Sequence, residues 1–240
     1  MPNIVLLNNI DHADLRVARG YGPAYGDAVN LTRAFPNEFE LLQREYPILF
    51  KQDADGAIQP LVLLGLDRDE NLFLDGGAWQ ARYVPLIHRR GPFSINLPGP
   101  DAPDPRDAKV NIDLEHARVG DPDGELLFLP HGGSTPYLEG ATRTLSALYD
   151  GLRLVDPMIE AWVEAGILDT VSIDVTVGGG RRYDLDQFAV VSTEKLAALR
   201  GEALEKLHER GWLTLAVLAA SSLSNIERLV ELKNRKEGWA

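Results

Sequence analysis

Apolar and polar positions change period several times along the 240-residue chain. Near the N-terminus, short apolar runs at Asn3 to Asn8, Leu15 to Ala18 and Val29 to Thr32 are punctuated by Tyr21-Gly22-Pro23 and Tyr25-Gly26-Asp27, which predicts short strands joined by loops. Glu38 to Arg44 predicts a short helix, with Asn37 placed to cap it and Glu38 and Glu40 suited to its positive end. Pro47 pushes Tyr46 into an extended conformation. Tyr46 to Lys51 therefore predicts a strand, Asp55-Gly56 a hairpin turn, and Ile58 to Leu66 a return strand apolar enough for burial on both faces. Leu72 to Asp75 and Pro92 to Leu97 read as further strands, and Trp79 to Val84 fits either a strand or one helical turn. Lys109 to Glu115 alternates cleanly, with Glu125 to Leu129 as its expected hairpin partner.

The second half changes to helical spacing. Thr135 before Pro136 predicts a helix start, and Leu138, Ala141, Leu145, Leu148, Leu152 and Val155 recur on one face. Asp156-Pro157 predicts a restart, and Gly166 a helix end. Val171 to Val177 and Arg182 to Val191 flank Gly178-Gly179-Gly180 and predict a hairpin. Helices are expected over Thr193 to Arg200, Glu202 to Arg210 and Leu213 to Lys233. Together these elements predict an α+β fold: a mixed, mainly antiparallel sheet covered by C-terminal helices. The chain is expected to be a single domain over 1–240, with a Pro- and Asp-rich subdomain joint near 98–108.

Composition narrows the function classes. The chain has no cysteine, which excludes disulfides, thiolate metal sites and a cysteine nucleophile. Its 36 acids against 24 Lys and Arg give a net charge of -12, a field that repels phosphate backbones and argues against a nucleic-acid partner. The N-terminus lacks a basic region and a long apolar run, and no stretch reads as about 18 consecutive apolar residues. A cytoplasmic protein with no membrane span is the expectation.

Three stretches carry a resemblance: Glu45-Tyr46-Pro47-Ile48-Leu49-Phe50; Leu64-Gly65-Leu66 followed by Asn71-Leu72-Phe73; and Trp79, Tyr83-Val84-Pro85, Arg89-Arg90 and Pro92-Phe93. Gly211-Trp212-Leu213 and Ser221-Ser222-Leu223-Ser224-Asn225 add to it. The chain resembles the bacterial SapC-like family over nearly its whole length, with Gly91 where that family usually has an aromatic residue. The resemblance implies a setting in bacterial surface layers or nutrient uptake, beside halogenase-like and cupin-like proteins and outer-membrane receptors. It implies no reaction and no set of functional residues.

The candidate site therefore comes from the residues themselves. Trp79, Tyr83, His88, Arg89, Arg90 and Phe93 concentrate aromatic rings and planar cations, which suit carboxylates, flat rings and peptide ends. Tyr46, Trp79, Tyr83, Arg89 and Arg90 are the candidate ligand-binding set. The matching function is a non-enzymatic binding or accessory protein for a peptide, a protein or a small acidic ligand. The same residues also suit a structural corner with ion-paired arginines. A second class rests on His12-Ala13-Asp14, the H-x-D half of an Fe(II)/2-oxoglutarate facial triad, with His88, His116 or His131 as the distal ligand. A short pattern of this kind arises often without a metal. Asp113 and Glu115 read as a solvated strand face, His131-Gly132-Gly133-Ser134 as a connection before a helix, and Gly178 to Gly180 as a hairpin tip.

Overall fold

The computed structural model describes residues 2–96 and 109–239. In chain order they form β1 (Ile4–Leu6), β2 (Arg16–Val17), β3 (Leu31–Arg33), α1 (Phe39–Leu42), β4 (Ile48–Gln52), β5 (Ile58–Leu63), β6 (Leu74–Asp75), β7 (Ala78–Trp79), α2 (Leu86–Arg89), β8 (Phe93–Asn96), β9 (Lys109–Asp113) and β10 (Glu125–Leu126). Then follow α3 (Pro136–Glu164), β11 (Leu168–Thr176), β12 (Arg182–Val191), α4 (Thr193–Ala198), α5 (Gly201–Glu209), α6 (Trp212–Ser221) and α7 (Asn225–Glu237). The α+β class holds, and among the described residues the strand pairings β1–β9, β9–β8, β10–β2, β11–β12, β12–β4, β4–β5 and β5–β3 run antiparallel. The expected joint near 98–108 lies outside the described residues. The described residues divide into two compact units: those within 2–27, 76–78, 86–96 and 109–149 in the first, and those within 28–75, 79–85 and 150–239 in the second.

In the first unit, β1, β9 and β8 form a three-stranded sheet with β9 in the centre. The expected hairpin of Lys109 to Glu115 with Glu125 to Leu129 does not form. Both edges of β9 are taken by β1 and β8, and β10 pairs with β2 instead. Val17, Phe93, Ile112, Leu127, Leu138, Ala141 and Leu145 make the core, so the first half of α3 lays its apolar stripe on this sheet. Thr135 caps that helix as expected, its hydroxyl accepting from the Leu138 amide at 3.3 Å.

In the second unit the sheet order is β11-β12-β4-β5-β3. Gly56, at φ +89, turns the β4–β5 hairpin, and the Asp53 carboxylate accepts from the amides of Asp55 and Ala57. Pro60 lies inside β5 with its missing N–H toward β3: the Ala34 amide donates to the Pro60 carbonyl at 3.0 Å, and the reciprocal bond is the one the proline forgoes, at the end of that strand. The long hairpin of β11 and β12 extends the sheet, as the alternation around the three glycines predicts. Phe50 packs edge-on against Phe39 and Trp162, with ring centroids 6.4 and 5.4 Å away.

Several local expectations are corrected. Before α1 a tight turn intervenes at Pro36–Glu38, closed by the Glu38 carboxylate accepting from the Phe35 amide at 3.1 Å. Pro157 sits inside one continuous helix and does not restart it. The α3 C-terminus is where Gly166 predicts. Gly166 at φ +67 donates to Val163 and Ile167 donates to Trp162, the paired bonds of a left-handed helix stop. The last helix is two, α6 and α7, with a tight turn at Ser222–Ser224 between them. The stretch Trp212–Glu237 is, against the sequence reading, long and apolar enough to cross a membrane, with a mean hydropathy of 1.3 in its best window. Length and composition alone do not make it a span. Within the second unit Ser222 is wholly buried and its hydroxyl accepts from the Ile48 amide at 2.8 Å.

Gly151 shows how tightly α3 is held. A Cβ at that position would stand 2.4 Å from Asn37 Oδ1 and 2.7 Å from Phe35 Cβ. The expected result of Gly151→Ala is destabilisation by about 1–3 kcal/mol from overpacking, read as a lower midpoint in urea with an unchanged slope.

Candidate functional site

Three of the five candidate ligand-binding residues meet in the second unit. Trp79 Nε1 donates to the Tyr46 hydroxyl at 2.7 Å, which donates to the Tyr83 carbonyl at 2.5 Å. The Tyr83 hydroxyl donates to Glu38 at 3.0 Å. Tyr46 is fully buried against Phe73, at 4.7 Å between centroids, and burial pushes its phenol well above the ordinary value. These polar handles are engaged by one another and by Glu38; the Tyr46 and Trp79 rings are buried in the core and Tyr83 is half-buried.

Arg89 and Arg90 belong to the first unit. Arg90 donates to the Phe93 carbonyl at 3.1 Å, and Arg89 is exposed at the end of α2. The buried ion-pair centre of that unit uses a different arginine. Asp27 accepts from Arg118 at 2.9 Å and from the Gly22 amide at 3.0 Å, and His88 Nδ1 lies 2.8 Å from it. The Arg118 guanidinium lies between the rings of Tyr21 and Tyr25, at 5.0 and 4.9 Å. Burial pushes the Asp27 carboxyl up, but these hydrogen bonds and the Arg118 charge outweigh it and hold it low. Gly91 fits this corner: its φ is +54, and an added Cβ would meet Arg118 Nη1 at 3.2 Å.

The H-x-D residues do not assemble a triad. His12 Nδ1 accepts from the Asn8 amide at 3.2 Å, and Asp14 is exposed. His116 Nδ1 accepts from the Arg118 amide, His88 faces Asp27, and His131 is exposed. Among the described residues, the group of possible metal ligands lying within 4.8 Å of one another is Asp67, Glu70 and Glu237, with no imidazole. These residues do not fit an Fe(II) facial triad.

That carboxylate group already surrounds a cation. Lys233 is 1 % exposed and donates to Asp67, Glu70 and Glu237 at 2.7, 2.8 and 2.7 Å. Lys236 reaches Glu70 at 2.8 Å, and Arg181 and Tyr183 reach Asp67. Burial disfavours the Lys233 charge, but the three carboxylates raise its pKa above the ordinary value. Burial likewise raises the Glu70 carboxyl, and the bonds from Lys233, Lys236 and the amides of Asp67 and Leu66 overcome this and hold it at about 2.

Three cavities among the described residues of the second unit are lined by none of the five candidate residues. One of about 250 Å³ lies between α3 and α5, bridged by Lys206 with Glu164 and Glu202. The other two, of about 440 and 500 Å³, lie side by side on the β4–β5 hairpin and share Lys51, Gln52 and Asp53. The first of this pair adds Phe50, Ile58, Thr170 and Phe188, and the second adds Arg33, Gln59 and Leu61. Lys51 Nζ stands 5.5 Å over the Phe188 ring. Among the described residues neither Lys51 nor Arg33 has a carboxylate within ion-pair distance. The acid beside them, Asp53, is engaged with the turn amides and with Gln59.

Sequence reasoning missed Asp27 as an anion centre, Arg118, the Lys233 cage and the Lys51 surface. Lys233 and Glu237 stand four residues apart on one helix face, a readable signal. Asp67 and Glu70 are distant in sequence and carry none.

Removing the buried ammonium leaves Asp67 and Glu70 facing each other. Lys233→Ala should cost about 3–5 kcal/mol in denaturant unfolding. The pH dependence has a definite sign. Because the Glu70 carboxyl is lowered from 4.5 to about 2 on folding, its stabilisation is complete above pH 4.5 and is lost as the pH falls toward 2. Asp184, an exposed carboxyl, acts oppositely, being raised first by its hydrogen bond with Asp174 and then by the neighbouring acid charges. The difference between wild type and Glu70→Gln in melting temperature against pH isolates the Glu70 term. It should shrink steadily between pH 4.5 and 2.

No curated protein and no solved structure matches the chain. The model of the SapC family matches residues 7–229. With nearly all of its 240 residues inside that match, the chain belongs to the SapC family.

Proposed function

We propose that this chain is a non-enzymatic binding or accessory protein for a ligand that carries a carboxylate and an apolar body. The observation that carries the reading is Lys51. It is a half-buried cation without an ion-pair partner among the described residues, in a chain with twelve more acids than bases, set over Phe188 at the wall shared by two cavities. An ammonium over a ring, with the half-buried Leu61 and Ile58 nearby, offers charge to an acid and apolar surface to its body. Arg33, held by Gln59, supplies a second cation in the neighbouring cavity.

This places recognition on the outer sheet surface of the second unit and not on Tyr46, Trp79 and Tyr83, whose polar atoms are engaged internally. A peptide, a protein segment and a small organic acid all meet the chemistry. The setting in bacterial nutrient uptake or surface layers, and a cytoplasmic location, form part of the proposal and are tested by cell fractionation.

Isothermal titration with a panel of aliphatic and aromatic carboxylic acids and acid-ended peptides tests the reading. Lys51→Glu should weaken binding at least about tenfold, the equivalent of about 1.4 kcal/mol, with an unchanged melting temperature. Equal affinity in wild type and K51E would remove the proposed anchor.

A further inference from the structure

The sheet of the second unit is split beside this site. In β4, Leu49 and Lys51 bond toward β5, so the backbone groups of Phe50 and Gln52 face β12. Phe50 pairs with Ala189, and the pairing stops there. Continued in the same register, Gln52 would meet Gln187. Gln187 is in the left-handed region at φ +66, one of two non-glycine residues with positive φ among those described. The β11–β12 ladder shifts at the same level: Val171 pairs with Phe188 and Ile173 with Leu185, so Asp186 and Gln187 together oppose Ser172. This is a β-bulge with a glutamine where glycine is the strain-free choice. Such strain, on the order of 1–2 kcal/mol, persists where the surroundings hold it and concentrates at binding sites.

The bulge turns β12 away from β4, and the cavity of about 440 Å³ opens where they part. The N–H and C=O of Gln52 face it with no backbone partner among the described residues. A small acid would use Lys51 and leave these two groups to water. An extended chain would use both.

We infer that the occupant of this cleft is an extended peptide segment, which adds as a short strand along Gln52 while an acidic side chain or end carboxylate meets Lys51. This rests on the binding role proposed above and names its ligand class. Recognition of this kind takes affinity from main-chain hydrogen bonds and selectivity from the side-chain pockets. Phe188 and Ile58 supply apolar walls on one side and Thr170 a polar one.

The test uses the full chain and three probes: a pool of random hexapeptides with a free carboxyl end, the same pool N-methylated at alternate residues, and a mixture of small monocarboxylic acids. Binding is read from amide shifts in two-dimensional NMR spectra. The hexapeptides should shift the amides of Gln52, Gln187 and Phe188, and N-methylation should weaken the effect at least tenfold. Deleting Gln187 restores one-to-one pairing opposite Ser172 without changing which side chains face the core. That variant should keep or raise the melting temperature and lose the peptide shifts.

Equal binding of the N-methylated pool overturns strand addition. So does peptide binding that survives the deletion in a folded variant. Shifts around Lys51 from the small acids alone overturn the peptide class and leave the binding role standing. Silence from all three probes overturns both.

Discussion

A single ammonium group orders much of the second unit. Lys233 is taken out of water, which is costly for a compact, strongly hydrated charge, and only a full set of acceptors makes the burial sustainable. Asp67 and Glu70 come from the segment after β5, and Glu237 from one turn further along α7. Glu70 is itself held by amides of its own turn, and Gly65 has no side chain because the Glu70 carbonyl would stand 2.4 Å from its Cβ. Arg181 and Tyr183, at the start of β12, meet the far side of Asp67. The C-terminal helix, the loop after β5 and the base of the long hairpin thus converge on one charge. Asn234 and Trp239 extend the same grip to the glycine tip of that hairpin.

Local chemistry was legible from the sequence wherever one short segment determined it. Thr135-Pro136, Gly166, the Asp55-Gly56 turn and the Gly178–Gly180 tip all do what residue type dictates, because a cap or a positive φ is settled within a few residues. Strand partners were less readable. Lys109 to Glu115 announces a strand, but only the tertiary structure shows that β1 and β8 occupy its edges. Pro157 reads as a break and is absorbed in α3, since packing along a helix can outweigh one missing hydrogen bond.

The candidate site was legible in part. The cluster of Tyr46, Trp79 and Tyr83 is real as a cluster, and its hydrogen bonds explain why these residue types occur together. Their density signals a polar network inside a core as readily as it signals a ligand. Lys51 and Gln187 left no such mark. A lysine in a strand and a glutamine in an alternating run are ordinary letters; what sets them apart is a backbone angle and, among the described residues, the lack of an ion partner.

The Lys233 cage also makes the protein its own reporter. The chain has six lysines, and this one is shut away from solvent. An amine-reactive reagent would mark the exposed lysines at once and reach Lys233 only when the C-terminal helix lifts from its carboxylates. The rate at which that one side chain becomes labelled therefore measures how often the end of the chain lets go, with no added probe.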